Sequence, residues 1–306
     1  MKIEKFFENC TLCPRMCRVN RMAGETGFCS QKKELVVARA ALHMWEEPCL
    51  SGSQGSGTVF FSGCSLRCIY CQNRSIAKGE AGEEISWERL AQIFLDLQNQ
   101  GANNINLVTP SHFLPYLLKA IPEARQKGLT IPMVYNTGGY ERAEILRLLD
   151  GYIDVYLPDF KYMDEELAAE YSYAPDYPEY AKKAIEEMVR QTGGCMFDEQ
   201  TGMIKKGVVV RHLVLPGHTK DSKQVIQYLH RMYGEKIFLS LMSQYTPMEW
   251  MKGHPLLGRK ITKREYERVV DYALEVGVQQ GFIQEGDVAK ESFIPDFDGT
   301  GVESKI

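Results

Sequence analysis

Short apolar strands alternate with amphipathic helices from residue 58 to about residue 290, and this alternation constrains the fold more than any other feature of the sequence. Strand–helix units in series predict a parallel sheet with right-handed crossovers. Six strand-like runs are too few for a closed eight-stranded barrel. The pattern therefore predicts an α/β fold, a partial (β/α)6 barrel. The predicted strands are 58–61, 104–108, 131–135, 153–157, 207–215 and 236–241.

The helices between these strands carry start and stop signals. Ser86 is placed to cap a helix that ends before Gly101. Thr262 and Glu265 have the spacing of a capping box at the start of the last helix. The apolar faces follow the helical period. They comprise Leu90, Ile93, Phe94 and Leu97; Ile145, Leu146, Leu148 and Leu149; Val225, Ile226 and Leu229; and Tyr266, Val269, Val270, Ala273 and Leu274.

Three cysteines with C-x₃-C-x₂-C spacing, Cys64, Cys68 and Cys71, follow the first strand of the series. A [4Fe–4S] cluster normally takes four cysteine thiolates, so three would leave one iron open to another ligand. S-adenosylmethionine (SAM) is a candidate for that position, because an electron from the cluster could cleave its carbon–sulfur bond. The alternatives are three buried thiols without metal and a zinc site that lacks one ligand. The spacing favours a catalytic cluster.

This motif resembles that of the radical SAM superfamily, in which an aromatic residue precedes the third cysteine, as Tyr70 does here. The resemblance implies the same partial barrel. Within the superfamily the chain is similar to the branch of pyruvate formate-lyase activating enzyme. The similarity rests on Asp159-Phe160-Lys161, on Arg211 with Leu215-Pro216-Gly217, and on Asn136-Thr137-Gly138. It implies that Lys161 and Arg211 hold the SAM carboxylate, which cationic donors suit.

Polar residues end each predicted strand, and the carboxyl ends of barrel strands form the active-site face. We expect five such strand ends to converge on SAM beside the cluster loop. The alternative is that these residues only begin the loops. The predicted cofactor-binding residues are Tyr70, Thr109, Ser111, Asn136, Asp159, Lys161, Arg211 and Gln244.

One departure from the superfamily pattern concerns the SAM amino group. The second strand usually ends in Gly-Gly-Glu, whereas this chain has 108–112, Val-Thr-Pro-Ser-His. The hydroxyls of Thr109 and Ser111, or backbone carbonyls, are the expected substitutes. The elements Glu46-Glu47-Pro48 and Met242-Ser243-Gln244-Tyr245, with a Cys-rich N-terminus, resemble a pyruvate formate-lyase activating enzyme-like subgroup that carries a four-Cys module.

A second cysteine set lies near the N-terminus, with four thiols within twenty residues: Cys10, Cys13, Cys17 and Cys29. Four cysteines in a short polar module favour a closed metal site, either structural zinc or a second Fe–S cluster. A cluster here could relay electrons or bind substrate. Free or disulfide-paired thiols are the remaining alternative. Cys49 and Cys195 stand alone and are expected to be packed or incidental thiols.

Several further features leave two interpretations open. His43, Glu46 and Glu47 are either a structural network or catalytic groups below the active site. His212 is expected on the strand face opposite Arg211, packed or at the surface. We expect the stretch 171–180 to be an exposed loop, 51–57 to be a connection rather than a phosphate loop, and 292–297 to be either a plug for the barrel's open side or a frayed tail.

Charge and composition limit the partners. A net charge of −4 argues against nucleic acid, and no apolar run approaches a membrane span or signal sequence. Nine cysteines, seven of them in metal-type spacing, fit a reducing cytoplasm. The expected division is an N-terminal Cys-rich module with its lead-in over 1–50, the barrel over 51–290 and a tail over 291–306.

Together these features predict reductive cleavage of SAM to a 5′-deoxyadenosyl radical that abstracts hydrogen. The activating-enzyme resemblance implies a glycyl-radical protein as substrate. A small molecule or peptide is the alternative, and so, from a different class, is a non-catalytic Fe–S electron-transfer protein. The implied partners are SAM, the substrate and an electron donor such as flavodoxin or ferredoxin.

Overall fold

A computed structural model describes residues 4–284 and 295–303. Its strands form one curved sheet. They are β1 (Leu35–His43), β2 (Ser56–Phe61), β3 (Glu83–Ile85), β4 (Ile105–Val108), β5 (Met133–Thr137), β6 (Val155–Pro158), β7 (Met196–Phe197), β8 (Ile204–Leu213), β9 (Phe238–Met242) and β10 (Gly281–Ile283).

The helices fill the crossovers between the strands. They are α1 (Lys5–Glu8), α2 (Pro48–Ser51), α3 (Arg74–Ala77), α4 (Trp87–Asn99), α5 (Leu114–Gln126), α6 (Ala143–Leu146), α7 (Glu165–Ser172), α8 (Tyr177–Thr192), α9 (Thr219–Tyr233) and α10 (Lys263–Glu275). Ser86 caps α4 by accepting the Arg89 amide hydrogen, and Thr262 with Glu265 forms the capping box of α10, as predicted.

The sheet runs in the order β10-β9-β8-β6-β5-β4-β2-β1-β3, and β7 pairs with β8 outside this path. The six predicted strands correspond to β2, β4, β5, β6, β8 and β9, and each pairs in parallel with the next. β10 extends the parallel set, whereas β1 and β3 are antiparallel additions at the other edge. The prediction of an α/β partial barrel is confirmed.

Side chains alternate between the two faces of the sheet, as the pleat requires. Tyr135, Tyr156 and Val210 face outward into the main core, which they share with the helices. Their neighbours Val134, Val155 and Val209 face inward and pack with two residues of α2, Cys49 and Leu50. The short helix α2 therefore fills the barrel interior at the amino-terminal ends of the parallel strands and closes it there.

The tyrosine-rich stretch is not an exposed loop, so that prediction was wrong. It spans the end of α7 and the start of α8. Tyr171 and Tyr177 are buried, although Tyr173 is 52% exposed. Prolines at 175 and 178 suggested a loop, but Pro178 lies in the first turn of α8, where proline is tolerated because its missing N–H has no helical partner.

Two smaller predictions have different outcomes. Of the two positions expected for His212, packed or at the surface, the structure shows the packed one: it is 1% exposed, and its Nδ1 lies 2.7 Å from the carbonyl oxygen of Phe160. Leu274 in α10 is 59% exposed, whereas Val269 and Ala273 are buried. α10 packs on α9 along one narrow stripe, so the apolar face read from the sequence was too wide.

The Gly-rich segment 51–57 is the connection into β2, as expected, with no helix following it. Ser292–Ile294 of the proposed plug lie outside the described residues. Within the described part, Phe297 packs against Phe60 at a ring-centroid distance of 5.4 Å, and Val302 is fully buried. Residues 295–303 are therefore packed on the β1–β2 edge rather than frayed.

No helix in the described ranges is long and apolar enough to cross a bilayer. The division of the chain at residues 50 and 290 stays a prediction. Within the predicted lead-in, Val37–His43 of β1 pair with β2, and Leu35–Val37 pair with β3.

Candidate active site

A network of charged and amide side chains crosses the inner face of the barrel near the carboxyl ends of its strands. Arg211 of β8 is at its centre. Its Nε lies 3.0 Å from Asp159 Oδ1, and its two terminal nitrogens lie 2.6 Å from Asn136 Oδ1 and 3.2 Å from Glu46 Oε2. Lys161 Nζ lies 2.6 Å from the other oxygen of Asp159. The structure thus brings together four predicted residues from three strand ends.

Glu46 and Glu47 reach this network from the segment that leads into α2. Glu46 accepts a hydrogen bond from Asn106 Nδ2 at 3.0 Å and forms the ion pair with Arg211. Glu47 is 8% exposed and hydrogen-bonds the Ser240 side chain. Because α2 lies inside the barrel, its acidic lead-in forms the lower layer of the polar network.

Opposing effects set the charges of this network. Burial opposes ionisation of Asp159, but the nearby charges of Lys161 and Arg211 hold its pKa below the ordinary value. Burial also opposes protonation of Lys161, yet Asp159 raises the Lys161 pKa. Burial raises the pKa of both Glu46 and Glu47, against the opposing charge of Arg211. Asp159, Lys161 and Arg211, which form the upper layer of the network, are therefore a stable set of ion pairs. Glu46 and Glu47 in the lower layer are held less firmly in their ionised form.

The three cysteines of the motif lie in the loop between β2 and α3, and all are partly buried. Cys64 Sγ accepts the Leu66 amide hydrogen, with a nitrogen–sulfur distance of 3.4 Å, and Cys71 accepts from the amide of Asn73. Burial and the neighbouring thiols raise the pKa of Cys71 to about 12, while the charge of Lys161 lowers it. Amide donors and a nearby cation are what thiolate ligands require.

In the described part of the chain, no group of three His, Cys, Asp or Glu side chains could hold a single metal ion. The ligands of a four-iron cluster bind different iron atoms, so they stand farther apart than the ligands of one ion. The thiols of Cys64, Cys68 and Cys71 nevertheless interact electrostatically with one another. In donor type and position, the loop fits a cluster held by three thiolates.

A chain of hydroxyls supports this loop from behind. Tyr70 and Tyr162 share a hydrogen bond at 2.6 Å, Tyr162 is 2.9 Å from Ser172 Oγ, and Ser172 donates to Cys68 Sγ at 2.9 Å. Tyr70, predicted to bind cofactor, is buried at 7% exposure and makes this supporting contact.

Tyr177, at the start of α8, connects the ends of β5 and β6. Its hydroxyl lies 2.9 Å from the carbonyl oxygens of both Gly138 and Asp159, and accepts the Lys161 amide hydrogen at 2.8 Å. Gly139 has φ of +80°, and a Cβ there would lie 2.2 Å from the Asp159 carbonyl oxygen. The turn can therefore approach β6 closely only with glycine at this position.

The other predicted cofactor-binding residues do not join the network. Ser111 donates to buried Glu141. Gln244 Oε1 accepts from Gln284 at 2.9 Å. Thr109 has a left-handed backbone with φ of +56°, beside the strand end. Their roles toward SAM stay predictions.

The N-terminal cysteines also form one electrostatic group, because Cys10, Cys17 and Cys29 each raise the pKa of Cys13. Cys13 and Cys29 accept amide hydrogens from residues two positions later, at 15 and 31. The same arrangement occurs at Cys64 and Cys71. Cys49, by contrast, is packed at 4% exposure on α2.

Arg21 lies beside two of these cysteines, Cys10 and Cys29, and is 1% exposed. Its NH1 is 4.0 Å from Cys10 Sγ and 2.6 Å from the His112 carbonyl oxygen, and its Nε is 2.8 Å from the Lys32 carbonyl oxygen. Its charge lowers the pKa of Cys29, against burial. Within residues 4–284 and 295–303 no carboxylate pairs with it, and such unpaired buried charges are rare in proteins.

The N-terminal module, defined as residues 4–34, contacts the cluster loop directly. Arg15 Nε donates to the Ser65 carbonyl oxygen at 2.8 Å. Gly63 has φ of +90°, and a Cβ there would lie 2.6 Å from the Cys29 carbonyl oxygen. The two cysteine sets are therefore held on adjoining segments.

Three residues that contribute to the network or support it were not predicted from the sequence: Asn106, Ser240 and Tyr177. Nor was it predicted that Glu46 and Glu47 both join the network. An asparagine inside the apolar strand 105–108 and two glutamates before a buried turn were the available signals. Their convergence depends on long-range packing.

The chain is similar in sequence to several known proteins. An uncharacterised protein of Methanocaldococcus jannaschii is 28% identical over 89% of this chain and 77% of its own length. The pyruvate formate-lyase-activating enzyme of Staphylococcus aureus is 21% identical over 55% of this chain and 65% of its own.

Among solved structures, the FeFe-hydrogenase maturase HydG of Carboxydothermus hydrogenoformans matches with a TM-score of 0.50 and 16% identity, covering 76% of this chain and 58% of that chain. Streptococcus suis SuiB bound to S-adenosylmethionine matches with a TM-score of 0.49 and 16% identity, covering 73% of this chain and 48% of that chain. The chain thus spans about half the length of these structures. The Radical SAM superfamily model matches residues 58–229, more than half of the sequence, and the chain therefore belongs to the Radical SAM superfamily.

Proposed function

We propose that this protein binds a [4Fe–4S] cluster through Cys64, Cys68 and Cys71 and reductively cleaves SAM to generate a 5′-deoxyadenosyl radical for hydrogen abstraction. The observation that carries the proposal is the position of the three thiols beside the Asp159–Lys161–Arg211 ion pairs. When bound, the cluster supplies the electron for carbon–sulfur cleavage.

The chain's own charges would orient SAM. Lys161 and Arg211 are each 16% exposed, so they retain access to a ligand while bound to Asp159. A carboxylate could take the remaining donors of both side chains in this partly desolvated space. Asp159 would keep both cations in place before SAM arrives.

We propose in addition that Cys10, Cys13, Cys17 and Cys29 bind a second metal–thiolate centre. Arg21 supports this, because four thiolates around iron or zinc carry a net negative charge that a buried guanidinium would balance. The contact between the module and the cluster loop favours an electron relay over a separate structural site. The donor to such a relay would be a flavodoxin or ferredoxin.

Two substrate classes have support. Similarity to an activating enzyme favours a glycyl-radical protein. The polar inner layer built from Glu46, Glu47 and Asn106 favours a small polar molecule or peptide. Electron transfer without catalysis has no comparable support, since a cluster that only transfers electrons normally has four protein ligands, whereas this loop offers three thiols.

The first experiment tests SAM cleavage. Anaerobically reconstituted protein is incubated with SAM and dithionite, and 5′-deoxyadenosine is quantified by chromatography. Cys64→Ala, Cys68→Ala and Cys71→Ala should each abolish the product. Cys195→Ala is the matched control and should leave it unchanged. Product formation by any of the three motif variants would refute the cluster assignment.

The second experiment separates the two metal sites. Replacing Cys10 and Cys13 by Ala should remove one metal complement and leave the three-Cys cluster in place. A cluster predicts that bound iron falls by about half, as one of two four-iron centres is lost. Zinc predicts unchanged iron and loss of zinc. If neither metal changes, the four thiols are not a metal site.

A further inference from the structure

The lower layer of the barrel network contains buried acceptor atoms that have no partner. Glu47 Oε2 and Asn106 Oδ1 are both buried without a hydrogen bond among the described residues. Glu47 is 8% exposed and Asn106 is fully buried. Leaving such an atom unsatisfied is costly, so native proteins keep few of them without a functional reason.

Both unpartnered atoms can accept hydrogen bonds, so a ligand here would have to donate them. The charges of the layer also favour a ligand that carries a positive charge. Three carboxyl groups, Glu46, Glu47 and Asp159, face two cations, Lys161 and Arg211. The two cations pair with Glu46 and Asp159, and Glu47 has no ion pair within residues 4–284 and 295–303. Burial, and then the charges of Arg39 and Arg211, lower the pKa of His43, which opposes a positive charge on its ring. A ligand that complements this layer would be a cation that can donate several hydrogen bonds.

The lower layer lies between α2, which closes the barrel beneath it, and the ion pairs at the carboxyl ends of the strands above it. Below it, Cys49 and Leu50 of α2 pack against inward-facing valines. Above it, Arg211 contacts Glu46 on one side and Asp159 on the other. A group bound to Glu47 and Asn106 would therefore lie one layer beneath the ion pairs proposed to hold SAM.

We propose that Glu47 and Asn106 bind the protonated amine or guanidinium of a small substrate. This inference rests on the proposed function, whose substrate class it names. Burial raises the pKa of Glu47, so an incoming cation would also stabilise the ionised carboxylate.

The test measures binding of a defined probe to the reconstituted full-length protein. Butane-1,4-diamine is titrated calorimetrically with SAM present and no reductant, and butane-1,4-diol and succinate are the neutral and anionic controls. We expect only the diamine to bind. Glu47→Gln should weaken its binding about 10- to 100-fold, the range for a charge-assisted hydrogen bond. Glu199→Gln, in an exposed turn, is the matched control and should not change it.

Three results would overturn the inference. They are no diamine binding with or without SAM, equal binding by the Glu47→Gln variant, and diamine binding only when SAM is omitted, which would assign the site to the SAM ammonium. Formation of 5′-deoxyadenosine by the same preparation tests the proposed function separately. Product without amine binding would reject only the substrate class, and amine binding without product would reject only the radical chemistry.

Discussion

Replacing Tyr177 by Phe should destabilise the protein through the strand ends that form the active site. The Tyr177 ring is fully buried, and its hydroxyl is shared by two carbonyl oxygens and one amide hydrogen, of Gly138, Asp159 and Lys161. One hydroxyl hydrogen can serve only one carbonyl fully at a time, so the variant loses one donated and one accepted bond. It leaves a buried amide and a carbonyl without partners. At about 1–3 kcal/mol for each of these two unsatisfied groups, the expected loss is about 2–6 kcal/mol.

The assay is urea unfolding of metal-free protein, in which stability is read from the transition midpoint at constant slope. Tyr180→Phe is the matched control, because Tyr180 lies three residues later in α8 and contacts Tyr140 through its ring. That variant should change the free energy of unfolding by less than about 0.5 kcal/mol. Should Tyr177→Phe be as stable as its control, the hydroxyl would not support the strand ends and this reasoning would fail.

Three other perturbations test the site and its supports. Lys161→Ala and Arg211→Ala should each weaken SAM binding by about 1.5–3 kcal/mol with the cluster absorbance retained, and normal binding by both would make these residues structural. Gly63→Ala should reduce iron uptake on reconstitution, because its Cβ would lie 2.5 Å from a side-chain carbon of the N-terminal module; Gly101→Ala, with φ of +91° and open space, should not. Burial raises the pKa of Glu141 from 4.5 to about 7, so its contribution to stability is full below about pH 4.5 and is lost as the pH rises to about 7. In the Glu141→Gln variant, the urea midpoint should change less with pH over that range than it does in the unsubstituted protein. An unchanged pH dependence would contradict the assignment.

The sequence predicted the parallel strands because each is a continuous apolar run between turn residues, which is how strands buried on both faces read. It did not predict β3 or β7. Glu83–Ile85 is mostly exposed and polar, and Met196–Phe197 has two residues, so neither carries a hydrophobic pattern. These strands exist because a neighbouring strand offers free backbone groups.

The candidate site likewise has one part that the sequence predicts and one part that it does not. The thiols were predictable because local spacing alone determines which metal centre they can reach. The lower layer was not, since Glu46 and Asn106 meet across 60 residues and only the burial of α2 inside the barrel brings them together. The sequence therefore leaves two interpretations open for Glu46, a structural network or a catalytic group, and predicts no role for Asn106.

The contact between the two cysteine sets carries an excess of positive charge. Arg15 lies over the ring of Phe28 at 3.9 Å and bonds to backbone carbonyls, and Arg67 lies over the same ring at 5.1 Å and donates to Ser30. Neither these two nor Arg21 pairs with a carboxylate in the ranges that the structure describes. The guanidinium groups of Arg15 and Arg67 lie over the same ring and would repel one another in this partly buried contact. We infer that two anionic metal–thiolate centres, one on each side, supply the missing negative charge, because Arg15 and Arg21 belong to the module of one set of thiols and Arg67 belongs to the loop of the other. The same cations would ease the addition of an electron to either centre by offsetting its negative charge, which is the electrostatic requirement of a relay.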